Sequence, residues 1–134
     1  MATLTTTLSL HSIDSSSDEL DITVSDSLTI KSPSIGISKA TITTTGANHI
    51  IVPANVDKQT WVFIRHTGED SNGASITTEV EIEITGDVAV GTLKVGEWCW
   101  FPFCGNGGSK GVQLQSSSGE IVVEYGYWSD STAQ

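Results

Sequence analysis

The chain has 134 residues, of which 16 are acidic and only six are lysine or arginine, so its formal net charge at pH 7 is −10. Binding to nucleic acid or to an anionic membrane surface requires clustered cations. The sequence has no such cluster, so we expect no nucleic-acid partner and no membrane partner. Serine and threonine account for 18 and 17 residues, and strong helix formers are scarce. This composition is typical of an all-β domain.

Alternation of apolar and polar residues predicts strands in the N-terminal third of the chain. Apolar residues alternate over residues 4–10 and again over residues 20–24. We predict a turn at Ser25-Asp26-Ser27, followed by a short strand that ends at Pro33, because proline cannot donate a hydrogen bond to a ladder. Residues 1–33 are more polar than the rest, so they are predicted to form either an N-terminal arm or added strands.

The same pattern continues to the C-terminus. Further strands are predicted at 35–42, 49–52, 61–64, 76–84, 88–93, 98–104, 112–115 and 121–128. One antiparallel sheet of about eight to ten short strands would leave a large apolar face uncovered. We therefore predict an antiparallel two-sheet β-sandwich, jelly-roll-like, that forms a single domain over residues 1–134.

No group of residues indicates an active site, so we predict that the protein is not an enzyme and needs no cofactor or metal. Cys99 and Cys104 lie among large apolar residues, which raise the pKa of a thiol, and both are predicted to be buried free thiols. The glycine-rich segment 105–111 lacks the order of a phosphate-binding loop and is predicted to be a hairpin loop. Asp70 and Asn72 match only a fragment of a calcium loop.

Three glutamates alternate along the predicted strand at 76–84. Glu79, Glu81 and Glu83 should stand about 7 Å apart on the face opposite the apolar residues. Because their surroundings look alike, nothing would separate their pKa values as an acid–base pair requires. The stripe is predicted to be a solvated face. A functional variant of this interpretation is that it repels other copies of the chain and contacts a basic partner.

The densest apolar segment carries aromatic residues on both of its faces. Trp98 and Trp100 share one face of the strand, and Phe101 and Phe103 share the other. Aromatic residues usually fill cores, and that interpretation stays open. A strand with large groups on both faces also needs cover on both, which another subunit or a stacked sugar would supply. Of these two, we favour the subunit, since few sugar-binding carboxylates or amides lie nearby.

Three segments resemble small β-rich structural proteins from the virions of tailed phages, particularly marine phages. They are Thr60–Gly68, Gly91–Trp98 followed by Phe101-Pro102, and Val122–Trp128. Within about residues 48–128 they provide a strand with a Thr-Gly turn, a Leu-Lys-x-Gly-Glu turn before an apolar strand, and a closing strand. The resemblance implies a many-copy head decoration or cement protein, often trimeric.

The composition and the resemblance together lead to a first hypothesis. The chain would be a non-enzymatic virion component, assembled in the host cytoplasm, that contacts the major capsid protein or another virion protein. Partner contacts are assigned to Trp98, Trp100, Phe101 and Phe103, and to Glu79, Glu81 and Glu83. The alternative is a tail-associated receptor-binding or carbohydrate-binding module. The first residues lack a secretory signal, and no apolar run reaches the roughly 18–20 residues that span a bilayer.

Overall fold

The computed structural model describes residues 2–14, 19–43, 49–54, 59–86, 88–104 and 110–130, except for the side chains of 31–33 and 130. These parts of the chain contain nine β-strands and no helix, so none of them includes a helix that could cross a membrane. The strands are β1 (Thr3–Ser12), β2 (Leu20–Ile42), β3 (His49–Val52), β4 (Thr60–His66), β5 (Val80–Ile84), β6 (Val88–Leu93), β7 (Trp98–Phe103), β8 (Val112–Ser116) and β9 (Ile121–Asp130). Every pairing between them is antiparallel, which confirms the predicted all-β, antiparallel class.

The strands pair in three groups. β1 and the first half of β2 form a two-stranded hairpin, and the second half of β2 opens a sheet of order β2-β9-β4-β7. A separate four-stranded sheet has the order β3-β8-β5-β6. The pairs are also nested along the chain. The innermost pair is β5–β6, and it is enclosed in turn by β4–β7, β3–β8 and β2–β9.

β2 is one long strand, and this corrects the turn predicted at Ser25-Asp26-Ser27. Those three residues stay in the ladder because they pair with Thr7, Thr6 and Thr5 of β1. Pro33 does not end the strand either. It lies in a register irregularity between residues 31 and 34, shortly after the pairing of β2 passes from β1 at Thr29 to β9 at Ile30, and a bulge is a place where a strand tolerates proline.

One hydrophobic core cluster takes side chains from both four-stranded sheets. Val62 and Ile64 of β4 belong to it, as do Val80 and Ile82 of β5, and all four are buried. The other fully buried members come from β2, β3, β8 and β9. The amphipathic segment predicted to start at residue 76 becomes a strand only from Val80, since the residues before it belong to the loop after β4.

His66 connects that loop to the core. Its side chain is completely buried at the end of β4. Nδ1 accepts a hydrogen bond from the Gly68 backbone N–H at 2.9 Å, so Nε2 carries the ring proton and donates to the Thr78 carbonyl at 2.7 Å. The imidazole thereby joins both ends of the loop between β4 and β5 and leaves neither ring nitrogen without a partner.

Candidate functional site

Four tryptophans lie on the face of sheet β9-β4-β7 that points away from the core. In the register of the sheet, Trp61 stands between Pro102 and Trp128, and Phe63 stands between Trp100 and Gly126. The residues that alternate with them, Val62 and Ile64, are in the core, so this row points outward. We call the set Trp61, Phe63, Trp98, Trp100 and Trp128 the aromatic face.

The indoles of the aromatic face pack against one another. Trp61 and Trp100 are stacked, with ring centroids 5.5 Å apart and planes 15° apart, and the centroid of Trp128 lies 5.8 Å from that of Trp100. Gly126 makes room for this packing, because a Cβ there would lie 2.8 Å from Cη2 of Trp128. Trp98 is 55% exposed at the edge of the sheet. The aromatic face is therefore an ordered surface that ends in an accessible indole.

The β1–β2 hairpin adds a second apolar surface. We call residues 3–12 and 20–29 the arm. Leu8 faces Val24 and Leu10 faces Ile22 across the ladder, which places these four side chains on one face. Each is between 42% and 55% exposed, whereas Leu28 near the base of the arm is buried. The outer part of the arm thus presents an uncovered row of aliphatic side chains. We call Leu8, Leu10, Ile22 and Val24 the aliphatic strip of the arm.

The opposite face of the arm is a ladder of hydroxyl groups. Thr5 faces Ser27 and Thr7 faces Ser25, each pair with oxygens 3.0 Å apart, and Ser9 faces Thr23 at 3.5 Å. Cross-strand hydroxyl pairs of this kind stabilise a two-stranded ribbon. The arm is therefore amphipathic, and the hydroxyls of its polar face bond to one another across the two strands.

A cleft of about 350 Å³ separates the arm from the aromatic face. Its walls are formed by Thr6, Thr7, Leu8, Val24, Ser25, Asp26, Trp61, Trp98 and Trp100. Leu8 and Val24 lie in the same wall, so the aliphatic strip of the arm turns towards the indoles. The lining is mainly apolar, with Asp26 as its charged member. This cleft and its two walls form the candidate site.

The aromatic residues singled out from the sequence lie on two different sides of β7. Trp98 and Trp100 are on the aromatic face, as their shared parity predicted. Phe103 is buried in the core cluster, and Phe101 packs against that cluster from a partly buried position. The structure therefore brings the two tryptophans into the candidate site and leaves the two phenylalanines outside it.

The predicted glutamate stripe is not a uniform solvated face. Glu83 is buried, and its Oε2 accepts a hydrogen bond from Nε2 of Gln113 at 2.7 Å, whereas Glu79 and Glu81 are partly exposed. A hydrogen bond with Glu83 raises the pKa of Glu81, as do desolvation and the charge of Glu83. The three environments differ because β8 lies beside β5 and covers Glu83 with Gln113, a neighbour that strand alternation alone does not identify.

Glu81→Gln is expected to stabilise the protein at neutral pH. The folded-state pKa of Glu81 lies above the ordinary value of 4.5 for a glutamate, so the folded state holds a proton that the unfolded state releases first. Stability from this group is complete in acid and is lost as the pH rises above about 4.5. We therefore expect a higher Tm for the variant at pH 7 and no difference below pH 4. Thermal unfolding across this pH range measures the effect, and Glu79→Gln is the control, since it removes the same charge from the residue just before β5.

The two cysteines are free and differ in exposure. Cys99 is partly buried, and desolvation raises the pKa of its thiol to about 11, although a hydrogen bond with the Ile64 backbone lowers it. Such a thiol is protonated at neutral pH and is a poor nucleophile. Cys104 is exposed, against the prediction of burial, because it lies one residue beyond the end of β7.

The remaining polar features serve the local fold. Oδ1 of Asp70 accepts hydrogen bonds from the backbone N–H groups of Asn72 and Ala74 at 2.8 and 2.9 Å, so this carboxylate shapes its own loop. Among the residues that the structure describes, no three His, Cys, Asp or Glu side chains group as metal ligands would. Most of the glycine-rich segment, residues 105–109, lies outside the described residues.

Sequence reasoning missed two parts of the candidate site. It did not connect Trp61 and Trp128 with Trp98 and Trp100, although the pairing of β4 with its two neighbours puts them on one face. It also did not recognise the arm as a surface. The alternation over residues 4–10 and 20–24 was a sufficient signal for its two faces, but not for the exposure of the apolar one.

Comparison with protein-family models, with curated proteins and with solved structures finds no match to this chain.

Proposed function

We propose that the chain is a non-enzymatic structural component of a tailed-phage virion, which decorates or cements the capsid through repeated protein–protein contacts. The observation that carries this proposal is the uncovered aliphatic strip of the arm, which lies next to the aromatic face. The resemblance of three strand-and-turn segments to virion proteins indicates the kind of assembly. The protein would be located in the virion, which is assembled in the host cytoplasm.

The exposure of the arm supports a role in assembly. A two-stranded ribbon is marginally stable in water unless its apolar face is covered. Leu10 and Ile22 face each other near its outer end and are both more than 40% exposed. Contiguous exposed apolar surface of this kind marks a protein interface. Many copies would make the sum of such contacts strong even if each were weak.

The proposed architecture is a two-sheet β-sandwich of the jelly-roll type. The nested antiparallel pairs β2–β9, β3–β8, β4–β7 and β5–β6 support it, since rolling up one long hairpin produces this nesting. The core cluster shared by the two four-stranded sheets agrees with sheets that pack face to face. Jelly rolls occur in viral capsid proteins and also in lectins, so the architecture alone does not decide the function.

A tail-associated receptor-binding or carbohydrate-binding module is the second candidate. The stacked pair Trp61–Trp100 beside the exposed Trp98 favours it, because an accessible indole provides a platform on which a sugar ring can stack. Under this hypothesis, host glycans would shift the tryptophan emission. An unchanged emission spectrum across a broad glycan set would count against it.

The assembly role is tested by changing the aliphatic strip of the arm without disturbing the core. We expect the wild-type chain to sediment as a homo-oligomer, with a trimer favoured, and Leu10→Ser/Ile22→Ser to sediment as a monomer. Each of the two exposed substitutions should change the unfolding free energy of the individual folded chain by no more than about 0.5 kcal/mol. Ser9→Ala/Thr23→Ala changes the opposite face at neighbouring positions and should leave the assembly intact. A wild-type monomer, or a double variant that assembles normally, would contradict the proposal.

The virion location has its own test. Antibody against the recombinant protein, detected by gold labelling in electron microscopy of phage particles, should mark the heads if the chain contacts the major capsid protein. Gold confined to tails would favour the receptor-binding alternative. An absence of label on intact and on partly disrupted particles would reject the virion role.

A further inference from the structure

The cleft between the arm and the aromatic face combines two features that the assembly role does not require. Three indoles, those of Trp61, Trp98 and Trp100, line it together with one carboxylate, that of Asp26. We propose that this cleft binds a small organic cation that carries an alkylammonium group, with a quaternary ammonium as the best fit. The proposal concerns a ligand site that shares Leu8 and Val24 with the aliphatic strip of the arm but does not include Leu10 or Ile22, and it does not rest on the assembly role.

The indoles provide the first part of the recognition. The face of an aromatic ring has negative electrostatic potential, and a cation within about 6 Å of the ring centroid is attracted to it, most strongly by tryptophan. Trp98 is the accessible indole because more than half of its surface is exposed. Trp61 and Trp100 are held in place by their mutual stacking, so this wall needs little reordering when a ligand binds.

The charges around the cleft provide the second part. Asp26 is an exposed residue of β2, and its Oδ1 accepts one hydrogen bond, from the Ser27 N–H at 2.9 Å. Residues 1–30 contain no lysine or arginine, and the whole chain carries a net charge of −10. Arg65, which faces Trp98 across the β4–β7 ladder, forms an ion pair with Glu124 at 3.4 Å. The field at the cleft therefore favours a cation over an anion.

The lining then separates an organic cation from the other candidates. A hard metal cation would need six or more oxygen ligands, and this mainly apolar cleft offers one carboxylate and a few hydroxyls. A neutral sugar inside the cleft would need several donors and acceptors, but the polar groups of this mainly apolar lining are one carboxylate and a few hydroxyls, and two of these, Thr7 and Ser25, already share one hydrogen bond at 3.0 Å. The methyl groups of a quaternary ammonium match the apolar wall, and its diffuse charge matches both the indoles and Asp26.

The first test compares two ligands of the same shape. Choline should quench or shift the tryptophan emission of the full chain in a saturable titration. Its neutral isostere, 3,3-dimethylbutan-1-ol, should bind at least about tenfold more weakly, because it lacks the charge that the indoles and the carboxylate recognise. Equal binding of the two ligands would show a merely apolar cleft and would overturn the proposal. The absence of any saturable choline response would also overturn it.

Variants then locate the site. Asp26→Asn keeps the acceptor for the Ser27 N–H and should weaken choline binding about tenfold through the loss of the charge. Asp21→Asn is the matched control, since it removes the same charge from the opposite face of the arm, and it should leave the affinity unchanged. Trp98→Leu keeps an apolar side chain without the π face and should weaken binding to a similar extent. Equal effects of the two aspartate variants would indicate long-range attraction only and would contradict a built site.

Binding and assembly can fail separately in these experiments. Sedimentation reports the oligomeric state, and the choline titration reports the cleft. A chain that assembles but does not bind choline keeps the assembly role and loses the ligand site. A chain that binds choline but sediments as a monomer keeps the ligand site and loses the assembly role.

Discussion

His66→Leu is expected to lower the free energy of unfolding by about 2–5 kcal/mol, one of the two largest effects that the structure predicts. Leucine fills a similar volume but has no polar atom. The Thr78 carbonyl, whose bond is partly buried, would lose its donor, and the Gly68 N–H, whose bond is buried, would lose its acceptor. An unsatisfied buried group costs about 1–3 kcal/mol, and here two groups lose their partner at once.

Urea denaturation at pH 7, followed by far-ultraviolet circular dichroism, measures this effect. His66→Gln is the control, because its amide oxygen and nitrogen can replace Nδ1 and Nε2 as acceptor and donor. The glutamine variant should therefore lose clearly less stability than the leucine variant. Equal stability of His66→Leu and the wild type would show that the imidazole does not hold the loop between β4 and β5.

Gly111→Ala is the second substitution with a large expected effect. A Cβ at this position would lie 2.4 Å from the Val52 carbonyl oxygen and 3.1 Å from the Ala54 nitrogen, both of which are backbone atoms. Gly111 also forms two hydrogen bonds with Thr85, since its N–H donates to the side-chain Oγ1 of Thr85 and its carbonyl accepts from the Thr85 backbone N–H. Relief of the clash would disturb either the β3–β8 pairing or these bonds, so we expect a loss of about 3 kcal/mol.

The control is a glycine that has open space around it. A Cβ at Gly91 in β6 would meet no atom within 4 Å, and neither Gly91 nor Gly111 has a positive φ. Gly91→Ala should therefore be neutral, or stabilising by about 0.4–1 kcal/mol through the unfolded state. Similar denaturation midpoints for the two alanine variants would mean that the close approach of β3 to Gly111 does not limit stability.

The candidate site shows how much of a functional surface can be predicted from the alternation of apolar and polar residues. The shared parity of Trp98 and Trp100 placed them correctly on one face and Phe103 on the other, since a side-chain period of two holds within any strand. Whether that face was core or surface could not be inferred, because it depends on which strands lie beside β7. The pairing of β7 with β4 decides it, by placing Val62 and Ile64 in the core and the tryptophans outside.

The glutamates illustrate the same limit for charge. Glu81 and Glu83 look equivalent in the sequence, yet one is partly exposed and the other is buried against Gln113. Glu81 and Glu83 are two residues apart, whereas the residue that makes their environments different, Gln113, comes thirty residues after Glu83 along the chain. Desolvation and hydrogen bonding of a carboxylate depend on neighbours of this kind, so the difference in environment is a tertiary property.

The amino-acid sequence by itself determined the all-β class, the positions of most strands and the residues that share a face, because these follow from local propensity and the two-residue period. The tertiary structure alone decided that β2 continues through a predicted turn, that the aromatic face points outward, and that the arm lies across a cleft from it. Each of these depends on which distant segments pair. Strand pairing is set by the burial and hydrogen bonding of the whole folded chain, and these cannot be read from the pattern of any single segment.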